Sequence, residues 1–431
     1  MVLFFYFVLV TVPAFLPLPP QGASVLDNLT LFAQFAFWGI WWPFAILSMM
    51  LVGRVWCGVL CPEGFLSEQA SRIGFGFAPP RWMKWGGWPF VAFITTTVYG
   101  QLLSVYEYPK ATLLILGGST LAAVVVGLLW GRGKRVWCRY LCPANGVFGL
   151  LARVAPIHFA VDAVAWKRPD GDTAVSRIPV NCAPMLNLRV KSGNAGCHMC
   201  GRCSGHRNAM WLSARTPASE IVALDTREAN RWEVHLLIFG LIGVAMGAFQ
   251  WSASPWFVKA KLAAGGWLLA QGHTELLSDA IPWWVLTHYP EANDVFTWLD
   301  GAMILFYIGA TALLVGGWIM LWLQAAARIL GVADGHLRLA YGLTPLAGIG
   351  AFLGLSALTL TLLAAEGVRV PAVAWLRGGL LAIAIVGSLW LGARLIASMN
   401  ASDARRIAGG LAYAVATSAG IVPWIFLFYI W

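Results

Sequence analysis

RVWCGVLCP, Arg54–Pro62, and RVWCRYLCP, Arg135–Pro143, are one phrase written twice. Seven of the nine positions are identical across an offset of 81 residues. Each copy follows a long apolar run, Leu31–Gly53 in the first case and Thr112–Gly131 in the second. Runs of about 20 apolar residues are long enough to cross a bilayer as helices. A backbone in lipid must close its own hydrogen bonds, which selects the helix. The phrase therefore marks the ends of two membrane spans. Each span, with the one before it, makes a hairpin that occurs twice in the same orientation. That parallel repeat implies a pseudo-two-fold axis along the membrane normal.

The rest of the chain fits this frame. Of its 431 residues 59% are hydrophobic and only 11% charged, against about 25% charged in soluble domains. Nine spans are expected: Val2–Pro17, Leu31–Gly53, Trp88–Tyr106, Thr112–Gly131, Leu236–Ser252, Asp300–Leu323, Ala340–Ala365, Gly378–Ile396 and Gly409–Ile430. The first lacks the basic n-region and small-residue cleavage site of a signal peptide and reads as a retained span. The fold class is an all-α integral membrane protein of about nine transmembrane helices. Residues 1–143 form the repeated hairpins and 144–235 a basic cytoplasmic segment with a cysteine loop. Residues 236–431 form a second membrane block. Its outside segment, about 253–299, is interfacial, with Trp256, Trp267, Trp283 and Trp284 suited to headgroup depth.

Charge sets the orientation. Residues 132–233 hold 15 of the 29 Lys and Arg but only 7 Asp and Glu. Cytoplasmic loops carry the excess of Lys and Arg, so this segment faces the cytoplasm and the N-terminus lies inside. The stretch 366–377, with Arg369 and Arg377, is the one misfit. The net charge of +10 then reflects topology and anionic headgroups. No nucleic-acid-binding pattern is present, and no nucleic acid is expected as a partner.

All eight cysteines fall on the predicted cytoplasmic side. That compartment keeps thiols reduced, so tight cysteine spacings there point to metal. CHMCGRC supplies Cys197, Cys200 and Cys203, three thiolates suited to three corners of a [4Fe–4S] cube. The run continues SGHRN without a fourth cysteine, and Cys182 in NCAPM is the free candidate. A four-thiolate zinc site is the alternative. In the repeats, Cys57 and Cys61, like Cys138 and Cys142, stand four apart. On a helix such pairs share a face, about 5–6 Å apart at Cβ, and the following Pro stops the helix. If the repeats pack together, four sulfurs converge on one centre. His198 and His206 could each ligate or tune a cluster but read as polar loop histidines, and no pair of histidines faces across the bilayer to hold haem. There is no dinucleotide, phosphate-loop or nucleophile-elbow motif.

In these motifs the chain resembles the membrane polyferredoxins of the NapH/NosR/CcoG type, over roughly residues 1–210. That family carries two C-x3-C-P motifs at the cytoplasmic ends of membrane helices, followed by ferredoxin-like cysteines. The resemblance implies one or two [4Fe–4S] clusters as cofactors, held by Cys57, Cys61, Cys138, Cys142, Cys182, Cys197, Cys200 and Cys203. It also implies a multi-pass protein of the bacterial cell inner membrane. Family members take part in quinol-linked electron transfer to periplasmic reductases, in maturation of nitrous oxide reductase, or in copper reduction for oxidase assembly. The chain departs from them in having a single truncated ferredoxin run and about five further spans after residue 235. The expected function is iron–sulfur electron transport between a quinone or cytoplasmic donor and a respiratory reductase or its maturation system. It would act as a membrane oxidoreductase subunit rather than a stand-alone enzyme. Expected partners are the lipid bilayer and redox proteins such as a ferredoxin subunit or a periplasmic reductase, with a quinone as a candidate. The alternative is a copper or other metal-handling assembly factor using the same thiolates. The near absence of ionisable residues inside the spans speaks against a transport pathway.

Overall fold

The computed structural model describes residues 1–20, 22–167, 180–191 and 193–431. The chain is mostly helical. The elements that position the cysteines are α1 (Val2–Phe15), α2 (Leu29–Val52), α3 (Pro62–Arg72), α4 (Trp88–Leu102), α5 (Pro109–Trp130) and α6 (Pro143–Ala152). The second block comprises α7 (Arg231–Ala253), α8 (Pro255–Gln271), α9 (Trp298–Leu330), α10 (Gly335–Ala365), α11 (Val373–Ala397) and α12 (Asp403–Ile430). Punctuation in the sequence explains many boundaries. Pro opens α3, α4, α6 and α8, where its missing N–H costs nothing. Asn28 caps α2 through its side chain. Thr297 and Asp300 form a reciprocal capping box on α9, which Gly331 ends in the left-handed region.

Seven of these helices are long and apolar enough to cross a membrane: α2, α5, α7, α9, α10, α11 and α12. This is a multi-pass membrane protein. The expected count of nine included two segments that are helical but shorter. α1 ends at Phe15, and α4 has 15 residues, about 22 Å at 1.5 Å per residue. The fold is also not purely helical. Strands β1 (Ile157–Val161) and β2 (Met210–Ala214) pair antiparallel, Ile157 opposite Ala214 and Val161 opposite Met210. They close a ribbon around the segment that carries the four later cysteines. A second ribbon joins β3 (His288–Tyr289) and β4 (Asp294–Val295). Trp256 and Trp267 on α8 are exposed, as is Trp284 beyond it, while Trp283 is half-buried.

The two hairpins pack by exchange. α3, which follows the first cysteine pair, lies against α5 of the second hairpin, while α6 lies against α2 of the first. The α3–α5 contact is a stripe of small residues. Gly127 on α5 and Gly131 just past its end meet Ser67 and Ser71 on α3, both glycines so close that an added Cβ would overlap the opposing helix. Ser67 and Ser71 are fully buried. Small residues four apart allow this approach, because apolar area alone gives no driving force between helices in lipid. α7 joins the two membrane blocks, packing on α4, α6, α9 and α10. It is the most buried span, 72% against 28% for α5 and α9.

The stripe makes a specific prediction. Gly127→Leu should lower the melting temperature of the detergent-solubilised protein, since overpacking costs about 1–3 kcal/mol. Gly118→Leu on the same helix should leave it unchanged, because nothing lies within 4 Å of a Cβ there. Equal melting temperatures for the two variants would show that the stripe is not a tight contact.

Candidate metal centre

The two copies of the repeated phrase form two tight turns. Trp56–Leu60 is a π-helical turn and Val136–Tyr140 an α-helical one. Cys57 and Cys138 lie within these turns and are buried. Cys61 and Cys142 do not continue the helix. They are extended, at ψ 115° and 124°, and form the N-caps of α3 and α6. The expectation of two cysteines on one helical face is corrected here. The residue before a proline is driven out of the helical region by the pyrrolidine ring. The consequence is useful: Cys61 Sγ accepts the Gly64 N–H at 3.4 Å, so the sulfur sits at a helix N-terminus, which favours negative charge.

Cys57, Cys61, Cys138 and Cys142 line one cavity of about 130 Å³, together with Arg54, Glu63, Asn145 and His198. A Cβ on Gly64 would stand 3.5 Å from Cys138 Sγ and 3.2 Å from the Arg135 guanidinium, which places the second copy directly over the first. Burial pushes the Cys138 thiol up to about 12, against the opposing pull of Arg135 and Arg54. Burial likewise raises Cys61 and Cys142 well above the ordinary thiol value. Glu63 shares the cavity; burial raises its carboxyl too, while Ser119 and Trp137 donate to it and hold it down.

The arginines of the phrase cross between copies. Arg135 donates to Glu68 at 2.8 Å and to the Cys57 and Gly58 carbonyls. Arg54 donates to Asn145 Oδ1 at 2.7 Å, to the Ala195 carbonyl at 2.6 Å, and to Cys57 Sγ at 3.7 Å. Glu68 is buried and also takes Arg202 at 2.7 Å. Burial would raise its carboxyl, but the hydrogen bonds from Arg202 and Arg135 hold it below the usual range. Arg135 and Arg202 thus meet on Glu68. Arg139 is exposed and, with Lys84, Arg54 and His198, lines a second, polar cavity of about 320 Å³.

The later cysteines form the other set. Charge on Cys197 and Cys200 raises both Cys182 and Cys203, after burial, which pushes Cys203 up to about 11. Cys182 was expected as the fourth member of this set. Asn181 and Lys134 pin its segment to the turn before the second copy: Asn181 donates to the Gly133 carbonyl at 2.9 Å, and Lys134 to Asn181 at 2.6 Å and to the Cys182 carbonyl at 3.2 Å. Phe159, Met199 and Met210 pack around Cys197 and Cys203. The two sets touch at Gly58, where a Cβ would overlap the His198 carbonyl oxygen.

Among the described residues no three His, Cys, Asp or Glu side chains converge on a single ion position. A cubane takes one thiolate at each of four irons, so its ligands surround a volume rather than a point. Four sulfurs around one cavity, with arginines beside them and a helix N-terminus at Cys61, are the donor set such a group uses. Sequence reasoning missed Arg54, Glu68, Glu63 and Asn145. Arg54 had a signal, since it opens the repeated phrase; Glu68 had none. His198 was expected as a polar loop residue and is instead 2% exposed. His206 is half-buried against Trp166.

Comparison with known proteins agrees on the class. Residues 34–81 and 113–161 each match the family model of a 4Fe-4S binding domain. Each matched segment contains one cysteine pair of the repeat, and the cofactor is one or two [4Fe–4S] clusters. The chain is 27% identical over 239 residues to the "Putative electron transport protein YccM" of Escherichia coli (strain K12). That alignment covers 49% of this chain and 65% of the relative, so less than two thirds of the relative's length is spanned. No solved structure matches the chain.

Cys182→Ser should remove one iron–sulfur signal in EPR of anaerobically purified protein and leave another intact. Unchanged iron content and spectra would place the fourth ligand of the loop set elsewhere.

Proposed function

We propose that the chain is an integral inner-membrane iron–sulfur protein that passes electrons between a quinone or cytoplasmic donor and a respiratory reductase or its maturation system. Its cysteines face the cytoplasm, and it works as a redox subunit with protein partners. The observation that carries this reading is the adjacency of two cavities. The four-cysteine cavity shares Trp42, Thr96, Ile115, Leu116, Pro143, Ala144 and Phe148 with an apolar cavity of about 160 Å³ inside the helix bundle. An apolar ring entering from the bilayer would reach the wall of the metal centre without crossing water.

A [4Fe–4S] centre held by Cys57, Cys61, Cys138 and Cys142 would supply one-electron redox chemistry. The remaining roles belong to this chain's own side chains. Arg54 and Arg135 offset negative charge at the sulfurs. Trp42, Phe148 and Leu116 keep water out between the cavities. The contact of Gly58 with the loop brings the second cysteine set close enough for direct transfer between the two. Cys182, Cys197, Cys200 and Cys203, outside both family matches and on the basic segment, would form the end that meets a soluble partner.

The test is elemental analysis and EPR of anaerobically purified protein, followed by addition of a quinol in liposomes. Iron and acid-labile sulfide in equal amounts, with the EPR signal of a reduced cluster growing on quinol addition, are expected. Copper or zinc bound without sulfide would make the chain a metal-handling factor instead. Iron–sulfur signals indifferent to quinol would leave the cytoplasmic donor as the source of electrons.

A further inference from the structure

His198 lies in the chain between Cys197 and Cys200, yet its side chain faces the other cysteine set. It lines the cavity of Cys57, Cys61, Cys138 and Cys142, and it also lines the polar cavity with Arg54, Lys84 and Arg139. It is 2% exposed, and its Nδ1 has no hydrogen-bond partner among the described residues. The charged groups whose fields reach it are Arg54, Arg135 and Arg139, all donors. A buried imidazole needs an acceptor for its N–H, and the protein around this one supplies cations. A cluster with its thiolates is acceptor throughout. The backbone fixes the placement: the His198 carbonyl rests on Gly58, between Cys57 and Cys61, and Arg54 ties the loop down through the Ala195 carbonyl at 2.6 Å.

We infer that the His198 imidazole serves the repeat centre, donating a hydrogen bond to a sulfur of the group held by Cys57, Cys61, Cys138 and Cys142, while its backbone belongs to the loop centre. It is a positioning residue that links the two centres. The loop backbone also accounts for one of the two positions at which the copies of the phrase differ. The first copy has Gly58, which the loop backbone covers; the second has Arg139 at the equivalent position, open to the polar cavity. A hydrogen bond to a cluster sulfur stabilises the more negative, reduced state, so its loss lowers the reduction potential of that centre. The inference rests on the reading that the repeat cysteines hold a cluster.

The experiment is an EPR-monitored redox titration of wild type, His198→Leu and His198→Gln, with iron content measured on each. The expected result is unchanged iron in both variants. In His198→Leu the repeat-centre signal, identified by its loss in Cys138→Ser, should shift to lower potential. The shift should correspond to about tenfold in the reduction equilibrium, about 59 mV for one electron. His198→Gln, which keeps a donor, should recover most of the shift. An unshifted repeat centre, or a shift confined to the signal lost in Cys182→Ser, overturns the inference. So does loss of a whole cluster's iron in both variants, which would make His198 a ligand or a purely structural residue. If wild type shows no signal that Cys138→Ser removes, the reading of the repeat centre itself fails, a result distinct from an unshifted potential.

Discussion

Glu68 holds two guanidinium groups that arrive from different parts of the chain. Arg135 comes from the second copy of the repeated phrase and Arg202 from the cysteine loop, at 2.8 and 2.7 Å. Glu68 itself stands nearly two turns into α3, behind the first copy. One buried carboxylate therefore joins the three segments that carry seven of the eight cysteines. Removing one partner of a buried ion pair costs about 3–5 kcal/mol, because the remaining charge is left uncompensated. The clasp lies outside the sulfur cavities, so it can hold the geometry while the centres change charge.

The rest of the site is organised by the symmetry that the clasp secures. Arg54 reaches Asn145, and Arg135 lies over Gly64. Each arginine is related to the other by 81 residues, and so are the two positions they meet. The exchange of helices, α3 onto α5 and α6 onto α2, follows the same pseudo-two-fold relation. Symmetry is broken where the single loop set docks. Only one copy can lie under it, and that copy carries glycine. Glu68, Arg202 and the small-residue stripe belong to that same side, so the first copy supports the loop while the second opens to solvent.

Much of this was legible in the sequence, for identifiable reasons. Apolar runs report spans because lipid admits few other backbones, and seven of the nine expected runs are full-length helices. Repetition of the phrase reported the pairing of the hairpins, whose four cysteines line one cavity. What failed to show was of a different kind. The burial of α7 leaves no mark, since an apolar residue against lipid and one against protein look alike. Glu68 stands alone in sequence, and only the fold brings its two arginines to it. The burial of His198 depends on where a loop lands. The extended conformation of Cys61 and Cys142 was in principle readable from the prolines that follow them, but the i, i+4 spacing suggested a helix.

The central claim is that both copies of the phrase serve one centre. Iron content and EPR of Cys57→Ser, Cys138→Ser and the double variant test it most directly. One shared centre predicts that each single variant loses the same signal and that the double variant loses no more iron than either. Two different signals lost by the two single variants, with their iron losses adding in the double, would contradict it.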